Sequence, residues 1–145
     1  MKAVIQRVDK ASVEVESKIH GQIMRGILVL FGCYRDDTED KIDIMVDKLI
    51  NFRIFEDENG KMNFSLKDIN GEILIVSQFT LLADTKKGRR PSFIDAMEPI
   101  KAKDFYDKFV LKMKREIKVV QTGVFGAKMK VSLINDGPVT FILDV

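Results

Sequence analysis

The chain has 145 residues, 46% hydrophobic and 32% charged, with 24 Lys and Arg against 22 Asp and Glu for a formal charge of +2. That balance excludes a disordered, collagen-like or coiled-coil chain, and the length predicts a single domain, residues 1–145, able to bury roughly 68–70% of its unfolded surface. No apolar run approaches the roughly 18–20 residues of a membrane-crossing helix, and Met1 to Arg7 lacks the apolar core of a secretory signal, so a cytoplasmic protein without membrane association is expected.

Period-2 alternation opens the chain. Val4, Gln6 and Val8 face one way, while Ala3, Ile5 and Arg7 face the other. A second strand is predicted over residues 11–16, with Val13 and Val15 on one face. His20 then lies in Lys18-Ile19-His20-Gly21-Gln22, which reads as a turn between two short strands. Residues 27–32 form a buried strand, rich in β-branched side chains. From Glu39 to Asn51 the period changes: Ile42, Met45, Val46, Leu49 and Ile50 recur at helical spacing. Thr38 is the expected N-cap, with Glu39 and Asp40 in the first turn, where the helix dipole favours negative charge.

Asn59-Gly60, inside an acidic stretch, is the strongest local turn signal. Asn70-Gly71 is another, launching a central strand over residues 73–79. A second helix is expected from about Ala102 to Ile117, with Phe105, Tyr106, Phe109, Val110 and Met113 as its apolar stripe and Pro99 just ahead. The C-terminus reads as a hairpin, with Asn135-Asp136-Gly137-Pro138 turning residues 129–133 back into 139–145. About seven strands with two inserted helices predict an α+β fold with a largely antiparallel, barrel-like sheet.

One Cys and one His exclude an internal disulfide and a Cys/His zinc site within the chain. No metal and no cofactor are expected. Cys33 ends an apolar run and reads as a small buried hydrophobe. An enzyme built on this chain works without a histidine base. The near-neutral total is uneven: residues 1–84 balance at −4 and residues 85–145 at +6. Lys86, Lys87, Arg89 and Arg90 share one Gly/Pro loop, suited either to phosphates or to simple solvation.

Three places break the local pattern. At Ser77-Gln78-Phe79-Thr80 an apolar strand gives way to hydroxyl and amide groups, either a polar strand end or an oxyanion site. Gly137-Pro138 adds Pro where a hairpin needs none, which makes a cis peptide affordable at roughly 0.5–1 kcal/mol. Arg7 shares a face with Ala3 and Ile5, so it either clamps a carbonyl or carboxylate inside the fold or snorkels to solvent.

The same places carry a family resemblance. The chain resembles the bacterial-type D-aminoacyl-tRNA deacylases over essentially its whole length. The matching segments are Ala3 to Val8 with Ala11-Ser12-Val13, Ser77-Gln78-Phe79-Thr80-Leu81, Lys87 to Phe93, Gln121-Thr122-Gly123, and Met129 to Thr140 with Asn135-Asp136-Gly137-Pro138-Val139-Thr140. The resemblance implies a homodimer that removes D-amino acids, or mischarged glycine, from transfer RNA. By it, Ser77 to Thr80 would line the pocket of the 3′-terminal adenosine, and the Phe79 and Thr80 N–H groups would hold the oxyanion. Gly137-Pro138 would be a Gly-cisPro motif inserted into the other subunit's pocket to reject L side chains, held by Arg7. Phe125, the segment around Ala102 and Met129 would complete the substrate pocket, and Lys86, Lys87, Arg89 and Arg90 would meet tRNA phosphates. Either the Thr80 hydroxyl or the substrate's own 2′-hydroxyl would drive hydrolysis. Two other readings remain: a related deacylase acting on L-alanyl-tRNA, and a non-catalytic RNA-binding module.

Overall fold

In the computed structural model, which describes residues 1–145, the N-terminal segment stays extended, but its alternation slips at Val8 to Lys10: Ala3, Ile5 and Arg7 are buried in turn, then Val8, and after two exposed residues Ala11 and Val13. The two strands expected before residue 17 are one strand, β1 (Lys2–Val15). Strand β2 (Lys18–Ile23) follows a tight turn at Glu16 and Ser17, both of which adopt positive φ. His20 is therefore inside a strand and not in a turn, because the reversal needs only two residues. β1 pairs antiparallel with β2 through Ala11 to Val15 and with β3 (Gly26–Gly32) through Lys2 to Val8.

β3 continues in parallel to β6 (Glu72–Ser77), and β6 in parallel to β7 (Val120–Thr122). The sheet is thus mixed, and because the three antiparallel ladders of β1 outweigh these two parallel ones it is the largely antiparallel, barrel-like sheet expected, with a parallel portion the sequence pattern did not show. It is nearly closed, because β2 curls back over β6 and β7. Gly21 permits that approach: a Cβ there would sit 2.8 Å from the Thr122 carbonyl oxygen. A separate two-stranded ribbon, β4 (Phe55–Glu56) with β5 (Met62–Phe64), flanks the Asn59-Gly60 turn. In that turn Asp57 accepts hydrogen bonds from the Lys61 N–H, the Asn63 amide and the Asn59 N–H, which hold its carboxyl below the usual range.

Strand β8 (Lys130–Asp144) corrects the C-terminal reading. Both halves of the expected hairpin lie on the same edge of β1, so they form one 15-residue strand. The register jumps from Gln6↔Thr140 to Val8↔Asn135, and residues 136–139 bulge out of the ladder. Turn-forming residues inside a strand produce a bulge when both flanks find the same partner.

Helices α1 (Asp40–Asn51) and α2 (Pro99–Glu116) cover one face of the sheet. The five apolar positions read in α1 are all buried, as is the five-residue stripe of α2. Phe31 of β3 stacks flat on Phe109 at 4.3 Å between centroids. Two helix starts differ from expectation. Glu39, not Thr38, occupies the N-cap of α1 without a side-chain cap bond; its carboxylate reaches Lys108 of α2 at 2.6 Å instead. α2 begins three residues early because Pro99 suits the first helical position and the Glu98 carboxylate accepts from the Ile100 and Lys101 N–H groups at 3.1 and 3.2 Å. The opposite face of the sheet holds a smaller cluster of Val8, Ala11, Val13, Ile23, Leu28, Leu74 and Val76. No helix is long and apolar enough to cross a membrane.

Candidate active site

β6 stops at Ser77, and the chain turns at once into a short 3₁₀ helix, Phe79–Leu82. The Gln78 N–H still donates to the Phe31 carbonyl at 2.7 Å, so the end of the strand is anchored. The first donor inside the turn is the Leu81 N–H, to the Gln78 carbonyl. The N–H groups of Phe79 and Thr80 precede it, as first-turn donors do. No side chain caps them. The Thr80 hydroxyl accepts from the Gln78 side-chain amide. Phe79 and Thr80 are exposed; Ser77 and Gln78 are half-buried.

The second group is built on Arg7, which is 4% exposed and does not snorkel. Its Nη1 donates to the Ile54 carbonyl at 2.7 Å, and Nη2 lies 3.4 Å from Glu56 Oε1. Its Nε lies 3.1 Å from both the carbonyl oxygen and the carboxylate of Asp136. The guanidinium thus ties the β4–β5 ribbon to the first residue of the β8 bulge. Asn135 closes the base of that bulge. Its Oδ1 accepts from the Val139 N–H at 2.6 Å, and its Nδ2 donates to the Thr140 hydroxyl at 3.0 Å. Gly137 has φ +139, a region that favours glycine, and a Cβ there would sit 2.5 Å from the Val139 side chain. The Gly137–Pro138 peptide bond is cis.

The third group flanks the end of β6. The Met129 sulfur packs against Gly123, where a Cβ would come within 2.5 Å of it, and Val76 is the next neighbour of that space. Phe125 packs on Tyr106 at 5.7 Å between centroids, and the Tyr106 hydroxyl donates to the buried Ile75 carbonyl at 2.9 Å. Burial drives the Tyr106 phenol well above its ordinary pKa. Phe125, Tyr106, Gly123 and Lys103 line a cavity of about 490 Å³ between α2 and β7. His20 lines it too. Nothing in the sequence announced this, because β2 meets α2 and β7 only when the sheet curls.

Two further residue sets lie apart from these. Lys86, Lys87, Arg89 and Arg90 are exposed on a loop closed by the Asp84–Ser92 backbone pair at 2.8 and 2.9 Å. Cys33 is buried, and burial, with the nearby Asp37 charge adding, pushes its thiol up to about 12. No group of three or more His, Cys, Asp or Glu converges to hold a metal ion.

Within one chain the first two groups are far apart. Ser77 pairs with Phe31, Phe31 with Ala3, and Arg7 lies four residues further along β1. With β8, β1, β3 and β6 side by side, about 3.3 Å per residue and about 4.8 Å per strand put Pro138 on the order of 20 Å from Ser77. Local patterns carry no trace of this separation, which only the family resemblance implied, nor of Ile54 and Glu56 as acceptors for Arg7 or of Asn135 as the base of the bulge.

The comparisons with known proteins cover the whole of this arrangement. The family model described as D-Tyr-tRNA(Tyr) deacylase matches residues 4–144. The D-aminoacyl-tRNA deacylase of Sulfurihydrogenibium sp. (strain YO3AOP1) is 60% identical over 144 residues, 99% of this chain and 97% of that protein. The one from Thermosipho africanus (strain TCF52B) is 58% identical over the same shares. Among solved structures, the c-Myc DNA Unwinding Element Binding Protein is 44% identical and superposes with a TM-score of 0.95 over 100% of this chain and 99% of that one. A second solved structure, of a eukaryotic protein 22% identical, shares the fold with a TM-score of 0.87 over 99% of this chain and 98% of that one. The family model over nearly the whole chain and the full-length relatives agree: this chain belongs to the D-Tyr-tRNA(Tyr) deacylase family.

Proposed function

We propose that residues 1–145 act as one D-aminoacyl-tRNA deacylase domain, which hydrolyses the ester between a D-amino acid, or mischarged glycine, and the terminal ribose of transfer RNA. The products are free amino acid and free tRNA, and the protein works in the cytoplasm without a metal or cofactor. One observation carries this reading. An uncapped pair of N–H groups at Phe79 and Thr80 opens beside a half-exposed polar segment, and no basic side chain contacts the Thr80 hydroxyl.

An aminoacyl ester is already activated, so positioned donors can lower its barrier without a strong base. The Phe79 and Thr80 N–H groups receive the oxygen that becomes negative as water adds to the ester carbonyl. The hydroxyl of Thr80 accepts from the Gln78 amide, a neutral donor that cannot take its proton. Thr80 is therefore a poor nucleophile. The terminal ribose 2′-hydroxyl orients the water instead: as water adds to the carbonyl, its proton passes to the 2′-oxygen while the 2′-hydroxyl proton passes to the leaving 3′-oxygen, so the ester C–O bond breaks with the ribose released as a neutral diol. The cavity lined by Phe125 and Tyr106 receives the adenosine, with Ala102 and Met129 at its margins.

Selectivity comes from the bulge. Arg7 holds Asp136, and with it Gly137 and Pro138, in one position. Their backbone fills the space that an L side chain would need, so D-amino acids enter by default. Since Pro138 and Ser77 are on the order of 20 Å apart in one chain, the pocket is completed by a second copy, and the active unit is a homodimer. The basic loop receives acceptor-stem phosphates.

The first test is hydrolysis of D-Tyr-tRNA beside L-Tyr-tRNA by the purified protein. Rapid loss of the D ester alone supports the reading, and hydrolysis of both or of neither overturns it. The intersubunit site has its own test. A Gly137→Trp chain and a chain with the Ser77–Thr80 segment replaced by alanines, each inactive alone, regain part of the activity when mixed and refolded together. No recovery would place the whole site in one chain.

A further inference from the structure

The four cations of the 86–90 loop form no ion pair within the chain and are the densest run of unpaired charge in this half, where Lys103, Lys108, Lys112 and Lys130 are paired and Lys101, Lys114, Arg115, Lys118 and Lys128 are spread singly or in twos. The loop is not limp. The Asp84 N–H and carbonyl both bond Ser92, and the Asp84 carboxylate accepts the Lys86 N–H at 2.9 Å. At its base, two aromatic rings stand in solvent. Phe79 is 58% exposed and Phe93 37% exposed, and they meet edge-on at 5.0 Å between centroids. An edge-on pair leaves a ring face open. Exposed rings of this size are costly to leave in water unless something covers them.

Unpaired cations beside an open aromatic face are the two parts of a single-stranded nucleic-acid site: phosphates follow the charge and bases stack on the rings. We infer that Phe93 and Phe79 form a stacking platform for the unpaired nucleotides immediately 5′ of the terminal adenosine, with the Lys86–Arg90 loop on their phosphates. The occupant follows from position, because Phe79 belongs to the segment that receives the terminal nucleotide, so the next base along the strand is the one within reach. A double-stranded stem offers no open base face and does not fit the rings. This inference rests on the deacylase reading and adds to it a site for bases that take no part in the chemistry.

The experiment compares wild type with Phe93→Ala and Phe93→Leu on two substrates, D-Tyr-tRNA and D-tyrosine esterified to adenosine alone. On D-Tyr-tRNA, the variants should raise KM roughly 5- to 150-fold with kcat little changed, the loss expected for one stacked base. On the adenosine ester they should match wild type. In parallel, an amide-linked D-tyrosyl minihelix carrying 2-aminopurine at the penultimate nucleotide should lose fluorescence on binding wild type and keep it with either variant. Equal KM values on tRNA, or equal quenching, would overturn the platform while wild-type hydrolysis leaves the deacylase reading intact. Failure of wild type to hydrolyse either D ester would defeat that reading itself. A shift of the variants to a smaller oligomer would assign the rings to a subunit contact and overturn the inference.

Discussion

Arg7 shows how one residue decides the geometry of a site it never joins chemically. A guanidinium 4% exposed needs several acceptors, and it finds them in two segments that no other contact of this kind connects: Ile54 and Glu56 on one side, Asp136 on the other. Lysine offers a single point of charge and cannot span both. Arg7→Ala is expected to cost about 2–3 kcal/mol, below the range for a fully buried pair because Glu56 and Asp136 are about half exposed. Arg7→Lys should fold more nearly as wild type, yet hydrolyse L-Tyr-tRNA measurably, since the bulge is released at its first residue. Denaturant melts and paired D/L assays read the two effects. A Lys variant with undiminished chiral selectivity would show that Arg7 serves stability alone. Thr80 supplies the opposite case. If the substrate 2′-hydroxyl assists water, Thr80→Ala should retain hydrolysis within about tenfold, while a 2′-deoxy terminal adenosine should abolish it. Near-total loss in Thr80→Ala with the 2′-deoxy substrate still turning over would reverse the assignment.

Strands and helices were legible in the sequence to different degrees, for physical reasons. The stripes of α1 and α2 are local patterns, and all ten of their apolar positions are buried as read. The bulge at 136–139 has the sequence of a hairpin turn, since Asn-Asp-Gly-Pro is turn chemistry, and only the shared pairing of both flanks with β1 makes it an interruption of one strand. His20 lies inside β2 because the reversal takes only Glu16 and Ser17, and the cavity it lines joins it to residues more than 80 positions away, which no local pattern shows. The signature segments were found, but the distance between them is set by strand order and has no local trace. Tyr106 belongs to this scale because its hydroxyl joins α2 to β6. Phenylalanine in its place should lower stability by about 0.5–1.5 kcal/mol and no more, because the Ile75 carbonyl still accepts the Gly123 N–H at 2.9 Å. A thermal melt lowered by a few degrees with D-Tyr-tRNA hydrolysis retained is the expected result. A full loss of activity would make the hydroxyl part of the chemistry.

For the molecule as a whole, the division of charge acquires a different meaning once the chain is folded. The acidic first half and basic second half suggest two oppositely charged faces, yet folding interleaves them. Lys108 reaches Glu39, Lys112 reaches Asp43, and Glu116 returns the favour to Lys67. α2 is thereby laced to α1 and to the loop before β6, and three of its five lysines, Lys103, Lys108 and Lys112, are paired locally. Surface pairs of this kind contribute little stability each, but they remove cations from the field that an RNA would meet. The 86–90 loop keeps its full charge, so it should dominate the salt dependence of tRNA binding. Each phosphate contact contributes about 0.7–0.9 to the slope of log affinity against log salt. Replacing Lys86, Lys87, Arg89 and Arg90 by alanine should therefore reduce that slope by about 3, weaken binding at low salt most, and leave the melting temperature unchanged because the loop packs against nothing that these side chains hold. Titrations at several salt concentrations measure it directly. If the slope falls by less than one, the phosphates lie on another surface, and the exposed cations of residues 114–128 become the place to look.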